Sequence, residues 1–83
     1  MKNWGKVKIK YALMQRQVNE YCINKAITAI DETDYLRTFN KLVTQKINSL
    51  KAEPNALVRK RKLYDYLLQK GFEYEMVKDV KVL

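Results

Sequence analysis

The chain has 83 residues, 47% of them apolar and 31% charged, enough for one small packed domain and no more. Seventeen Lys and Arg against nine Asp and Glu leave a formal net charge of +8, which predicts an acidic or polyanionic partner. There is no His and a single cysteine, Cys22; this excludes a His-containing catalytic triad, the usual His metal site, a Cys-cluster zinc site and an intramolecular disulfide.

Gly5, Gly71 and Pro54 are the only Gly and Pro residues, too few turn formers for many strands. Apolar residues recur at three- and four-residue steps, so the chain reads as helical throughout. The first helix is expected over about 5–16, with Ile9, Ala12 and Leu13 inward. Asn19 is a good N-cap for a second helix over about 19–30, and Val18 and Ile23 stand at hydrophobic-staple spacing around it. That helix is expected to bury Cys22, Ile23, Ala26, Ile27 and Ile30.

Asp31, Glu32 and Asp34 place acid at the start of the third and longest helix, about 32–51, where it complements the helix dipole. Leu36, Phe39, Val43, Ile47 and Leu50 form its apolar stripe, with Tyr35 and Leu42 on the flank. Pro54 fits the first position of a fourth helix, about 54–70, which turns Ala56, Leu57, Leu63, Tyr64, Leu67 and Leu68 inward. Gly71 is its C-terminal cap. A last helix, about 73–82, carries Met76, Val77 and Val80, with Phe72 and Val77 as a second staple around a cap at Glu73.

Sliding the chain by 54 residues lays residues 6–29 on 60–83. Lys6, Lys8, Leu13 and Gln15 meet Lys60, Lys62, Leu67 and Gln69, and the core positions, the staple and the turn coincide. The physical reading is a repeated unit: a basic amphipathic helix turns into a short helix, and a long helix bridges to the next unit.

The charge follows the same division. Residues 1–16 carry five basic residues and no acid; residues 37–70 carry nine basic and two acidic. The short helices are acidic or neutral. The sharpest cluster is Arg59-Lys60-Arg61-Lys62, with Lys62, Asp65 and Gln69 facing solvent and Arg59 and Arg61 on opposite flanks. Lys60, like Lys6, stands in an apolar row and is expected to lay its methylenes on the core. Such a run reads either as a contact surface for an acidic protein or phosphates, or as an ordinary solvated face. Tyr35 and Tyr64 read as structural; Tyr11, Tyr66 and Trp4 are the candidates for exposed contacts.

Helix capping accounts for Asp31, Glu32 and Asp34, so they give no ground for metal or acid–base chemistry. Cys22 reads as a buried, inert thiol. There is no Gly-rich phosphate loop, no apolar run approaching the roughly 18–20 residues of a membrane span, and no apolar signal segment in MKNWGKVKIK. The expectation is a cytoplasmic, non-enzymatic protein without cofactor or metal.

The segment RKRKLYDYLLQKGFEYEMVKDV resembles the C-terminal repeat of the RecX family of bacterial regulatory proteins. That family repeats a basic-apolar helix, a basic pair before Gly and an apolar residue, then a short helix with two apolar positions. Arg61, Lys62, Leu63, Leu67, Leu68, Lys70, Gly71, Phe72 and Val77 fit this pattern. WGKVKIKYALMQRQVNEYCINKAI resembles the preceding repeat, with Gln17 where the family often has Gly, and the long helix around DETDYLRTFNKLVTQKINSLK also suits the family.

The resemblance implies an all-α fold of tandem three-helix repeats forming a small curved right-handed array. It divides the chain into a repeat over 1–51 and the start of the next over 54–83, as a C-terminal portion of a longer protein. It also implies a partner and a role: binding the RecA recombinase filament and inhibiting its recombinase, ATPase and coprotease activities in DNA repair and the SOS response. The partner-binding candidates are Lys8 and Arg16 on the first helix, Arg37 and Lys41 on the middle helix, and Arg59, Arg61, Lys62 and Lys70 on the fourth. Contact with DNA inside the filament is left open.

Two other readings stand beside it. One is a small helix-turn-helix DNA-binding domain, against which the acidic or neutral character of the helices after the two tight turns argues. The other is an assembly module whose exposed apolar faces pair with further repeats.

Overall fold

The structure is a computed structural model and describes residues 3–80. These form α1 (Lys6–Gln15), α2 (Glu20–Thr28), α3 (Glu32–Ser49), α4 (Ala56–Gln69) and α5 (Tyr74–Val77), with no strand among the described residues. The molecule is elongated, 46 × 24 × 19 Å.

The 54-residue repeat is present in the backbone. After α1, the Gln17 N–H donates to the Met14 carbonyl (3.0 Å) and the Val18 N–H to that of Leu13 (3.1 Å). After α4, Gly71 donates to Leu68 (3.0 Å) and Phe72 to Leu67 (3.2 Å). Both are Schellman caps, whose turn residue must be left-handed. Gly71 has φ +90° and Gln17 φ +60°. Gln17 therefore departs from glycine in chemistry but not in backbone shape, at a cost of roughly 1–2 kcal/mol.

The two halves interlock at these turns. The Gly5 N–H donates to the Lys70 carbonyl (2.7 Å) and the Val7 N–H to that of Gly71 (2.9 Å). The approach is close enough that a Cβ on Gly5 would strike the Gly71 backbone, and one on Gly71 would strike Lys8.

The buried cluster joins Tyr35, Phe39, Leu42 and Leu50 to Leu63, Leu67, Phe72 and Val77. Burying each of the aliphatic side chains fully contributes about 1.5–3 kcal/mol. Phe72 closes the cluster, its ring 5.0 Å from Phe39, edge to face, and 5.5 Å from Tyr35. The boundary expected between 51 and 54 falls between α3 and α4, whereas this core is drawn from α3, α4 and the segment after it. Ile23 is the buried residue of α2, and α1 buries none fully: Ile9, Ala12 and Leu13 are half-covered.

Several expectations are corrected. The apolar stripe of α3 is rotated toward Tyr35 and Leu42, which are buried, while Leu36 is 49% exposed. Phe72 draws Tyr35 inward, and the phenol can be buried because its hydroxyl finds partners. Pro54 precedes the fourth helix rather than opening it. The N-cap is Asn55, whose Oδ1 accepts the N–H groups of Leu57 (2.9 Å) and Val58 (3.3 Å), a bond proline cannot provide. Ala56, Leu57 and Leu68 are exposed, because α3 covers only the Leu63–Leu67 side of α4. α5 stops at Val77, not near 82; the Tyr64 hydroxyl donates to the carbonyls of Val80 (2.8 Å) and Lys78 (3.3 Å) just beyond it. The expected end of that helix lies partly outside the described residues. Cys22 and Ala26 are exposed rather than buried, because α2 packs chiefly on α1 and buries Ile23.

Candidate interaction surface

A polar knot fixes how α1, α3 and the α4–α5 turn meet. The Lys6 N–H donates to the Tyr35 hydroxyl (2.8 Å), and that hydroxyl donates to Glu73 Oε1. Glu73 holds the N-cap position of α5 but caps nothing with its side chain, having been taken by Tyr35. The Lys6 ammonium lies 4.6 Å from the Tyr35 ring centroid and pairs with Glu32. The Tyr35 pKa is raised well above the usual phenol value, first by burial and then by its bond to the Glu73 carboxylate; the Lys6 N–H opposes this. Sequence reasoning missed the knot because its members are 26 to 38 residues apart.

The eight candidate cations are not gathered into one site. Arg59 is partly buried and donates to the Glu53 carbonyl (2.6 Å), closing the α3–α4 loop. Lys62 faces the half-buried Glu53 (3.7 Å), and Arg61 faces Asp65 (4.0 Å) at exposed positions where such a pair contributes little. Arg37 pairs with Asp34 (3.1 Å), and Lys41 is exposed nearby on α3. Arg16 is exposed at the C-cap of α1. Lys8 and Lys70 are brought together by the α1–α4 interlock. The Lys8 ammonium is 4.6 Å from the Trp4 ring centroid and the Lys70 ammonium 5.7 Å from that of Tyr66.

Lys46 approaches Tyr66 as well, at 4.9 Å, so Tyr66 is half-buried between two lysines rather than free. Lys60 is exposed against Tyr64 (5.5 Å) and does not lie on the core; Lys6 does, through Tyr35. Tyr11 is exposed as expected, and Tyr21 and Tyr74 are exposed too. Asp31 is the N-cap of α3, its Oδ1 accepting the Asp34 N–H (3.0 Å).

The exposed surface on α1 extends beyond the expected Tyr11. Val7, Tyr11 and Met14, at helical spacing, are each more than half exposed. Lys10, Met14, Val18, Glu20 and Ile23 line an open groove of about 410 Å³ beside them. The sequence signal was a second stripe on α1, masked by reading that helix for its core face.

Paired helix–turn–helix elements joined by a long helix, with cations lying on aromatic rings across their surface, define a small all-α repeat protein. Residues 32–80, which are α3 to α5, match the model of the third three-helix domain of RecX. The chain belongs to the RecX family. It is 37% identical over 81 residues to the regulatory protein RecX of Clostridium botulinum (strain Eklund 17B), covering 96% of this chain and 38% of the relative. The regulatory protein RecX of Clostridium tetani is 35% identical over 81 residues, again 96% and 38% of the two chains. That of Clostridium acetobutylicum is 32% identical over 79 residues, 92% and 37%. The chain thus spans less than two fifths of the relatives it matches. No solved structure matches it.

Proposed function

We propose that this chain binds the RecA recombinase filament and limits its strand exchange, ATP hydrolysis and assisted repressor cleavage, by occupancy and not by catalysis. The observation that carries the reading is family membership: α3–α5 match a RecX domain, and the relatives are regulatory proteins by name. The surface charge supports it. Arg16, Arg37, Lys41, Arg61 and Lys62 are exposed on three helices, where they would draw the chain to an acidic filament surface. Lys8 and Lys70 add to that field, and Arg59 holds the loop that presents its neighbours. Among the described residues no helix is long and apolar enough to cross a membrane.

In this reading α3–α5 form one repeat unit, and α1–α2 are the last two helices of the unit before it. Their half-covered Ile9 and Leu13 correspond to the buried Leu63 and Leu67, which α3 covers.

The test is co-sedimentation of the chain with RecA filaments on single-stranded DNA, with ATP hydrolysis as the readout. The chain is expected to pellet with filaments and slow hydrolysis. Absence from the pellet with unchanged hydrolysis overturns the proposal. Binding to duplex DNA without RecA, with a steep salt dependence, would favour a DNA-binding domain instead.

A further inference from the structure

The outer face of α1 is unusual for a basic surface helix. Val7, Tyr11 and Met14 are 54%, 63% and 56% exposed, while residues 1–16 carry no acid. Contiguous exposed apolar side chains mark contact sites more often than idle surface.

The repeat supplies a control for this face. The counterparts of Val7, Tyr11 and Met14 on α4 are Arg61, Asp65 and Leu68, and all three remain exposed although α3 packs on α4. A helix packed on α1 as α3 packs on α4 would cover Ile9 and Leu13 and leave Val7, Tyr11 and Met14 in solvent. Completing the repeat does not account for their apolar character.

The adjoining groove shows what could fill it. It is lined by Lys10, Met14, Val18, Glu20 and Ile23. The counterpart of Lys10 is Tyr64, which packs against the buried cluster that holds Phe72 and Val77, the counterparts of Val18 and Ile23. The Tyr64 hydroxyl reaches the carbonyls beyond α5. The α4–α5 half thus carries an aromatic side chain that spans its two helices, where the α1–α2 half has Lys10 on the wall of an open groove. Lys10 and Arg16 have no ion pair among the described residues; α1 thus brings an unpaired cation, Lys10, to the wall of the groove, with Arg16 exposed at the C-cap of the same helix. Glu20 lines the opposite wall.

We propose that the outer face of α1 docks an acidic protein segment bearing one aromatic side chain. The ring enters the groove between Met14, Val18 and Ile23, an aliphatic neighbour lies on Val7 and Tyr11, and the segment's carboxylates face Lys10 and Arg16. The proposal goes beyond the filament reading, because it names the chemistry of a partner and not its identity.

The test is an NMR titration of the isotope-labelled chain with the peptide acetyl-Asp-Glu-Tyr-Leu-Asp-Glu-amide, beside a control peptide with Ala in place of Tyr. Shift changes are expected at Val7, Lys10, Tyr11, Met14, Val18 and Ile23 with the first peptide, and only weak ones with the second. Tyr11→Ser with Met14→Ser should weaken binding about tenfold, the loss expected when apolar anchors leave a small interface. Lys10→Glu should also weaken it, and Arg61→Glu with Lys62→Glu should not change it beyond about twofold, the scale of a remote charge effect. Shifts spread over all basic helices, equal response to both peptides, or no binding overturns the proposal. No recombinase is present, so failure here leaves the filament reading standing, and failure of co-sedimentation leaves this surface standing.

Discussion

Tyr35 and Glu73, 38 residues apart, are joined by a hydrogen bond from the phenol to the carboxylate. The same hydroxyl accepts the backbone N–H of Lys6. One buried tyrosine thus ties the start of α1 and the turn before α5 to the first turn of α3.

Tyr35→Phe keeps the ring packing and removes both bonds. It leaves the Lys6 N–H and the Glu73 carboxylate without their partner in a part-buried setting. The expected loss is about 1–2 kcal/mol of stability, read by urea unfolding. Amide exchange at Lys6 should accelerate with it, since the α1 terminus loses a tether. Equal exchange rates in both proteins would show that the tether is immaterial.

The raised Tyr35 pKa gives a signed pH dependence. In the unfolded chain the phenol ionises near its ordinary value of about 10; in the folded chain it stays protonated to higher pH. The contribution is therefore fully present below about pH 10 and is lost as pH rises from there toward the folded pKa. Wild type should lose stability relative to Tyr35→Phe above about pH 10, with a constant difference between about pH 7 and 9. The difference between the two proteins, in which contributions common to both cancel, is the quantity to follow.

What the sequence made legible was local chemistry. Asn19 caps α2, its Oδ1 accepting the Cys22 N–H at 2.8 Å, and Gly71 terminates α4; both follow from residue type and the neighbours. The repeat was legible because its turn and core positions share one offset. The rotation of α3 was not: Leu36 outranks Tyr35 on apolarity, and the partners that make Tyr35 buriable come from residues 6 and 73. Cys22 and Ala26 were misplaced because apolar character does not show how many neighbours a helix has. At the candidate surface, the Arg59-Lys60-Arg61-Lys62 run was visible, but the Glu53 carbonyl that claims Arg59 is set by loop geometry.

The two left-handed turn residues should respond to substitution with opposite sign. Gly71→Ala places a Cβ at φ +90° and against Lys8, so a loss of at least about 1–2 kcal/mol is expected. Gln17→Gly relieves the same strain in the other turn, partly offset by the greater freedom of unfolded glycine. A net gain of roughly 0.5 kcal/mol is expected. Thermal or urea unfolding of both variants checks the pair, and a loss of stability in Gln17→Gly would contradict the strain assigned there.

Arg59 and its neighbours should separate stability from association. Arg59→Ala removes the bond to the Glu53 carbonyl and should lower stability by roughly 1–2 kcal/mol. Arg61→Glu with Lys62→Glu removes two exposed cations and should leave helix content unchanged. Under the filament reading it should slow association and flatten its salt dependence, with a smaller effect on dissociation. Stopped-flow association at two ionic strengths, beside circular dichroism, distinguishes the two outcomes.

Cys22 tests the placement of α2 directly. Its thiol is exposed because Ile23, one residue on, is the side chain that α2 buries. A maleimide reagent should therefore modify the folded chain without denaturant, at a rate close to that of the same chain in urea. Because the residue is exposed, labelling should change stability by no more than an ordinary surface change does, about 0.5 kcal/mol. Protection of Cys22 in the folded chain by tenfold or more would place that face of α2 against another helix and restore the buried thiol that its apolar setting in the sequence suggests.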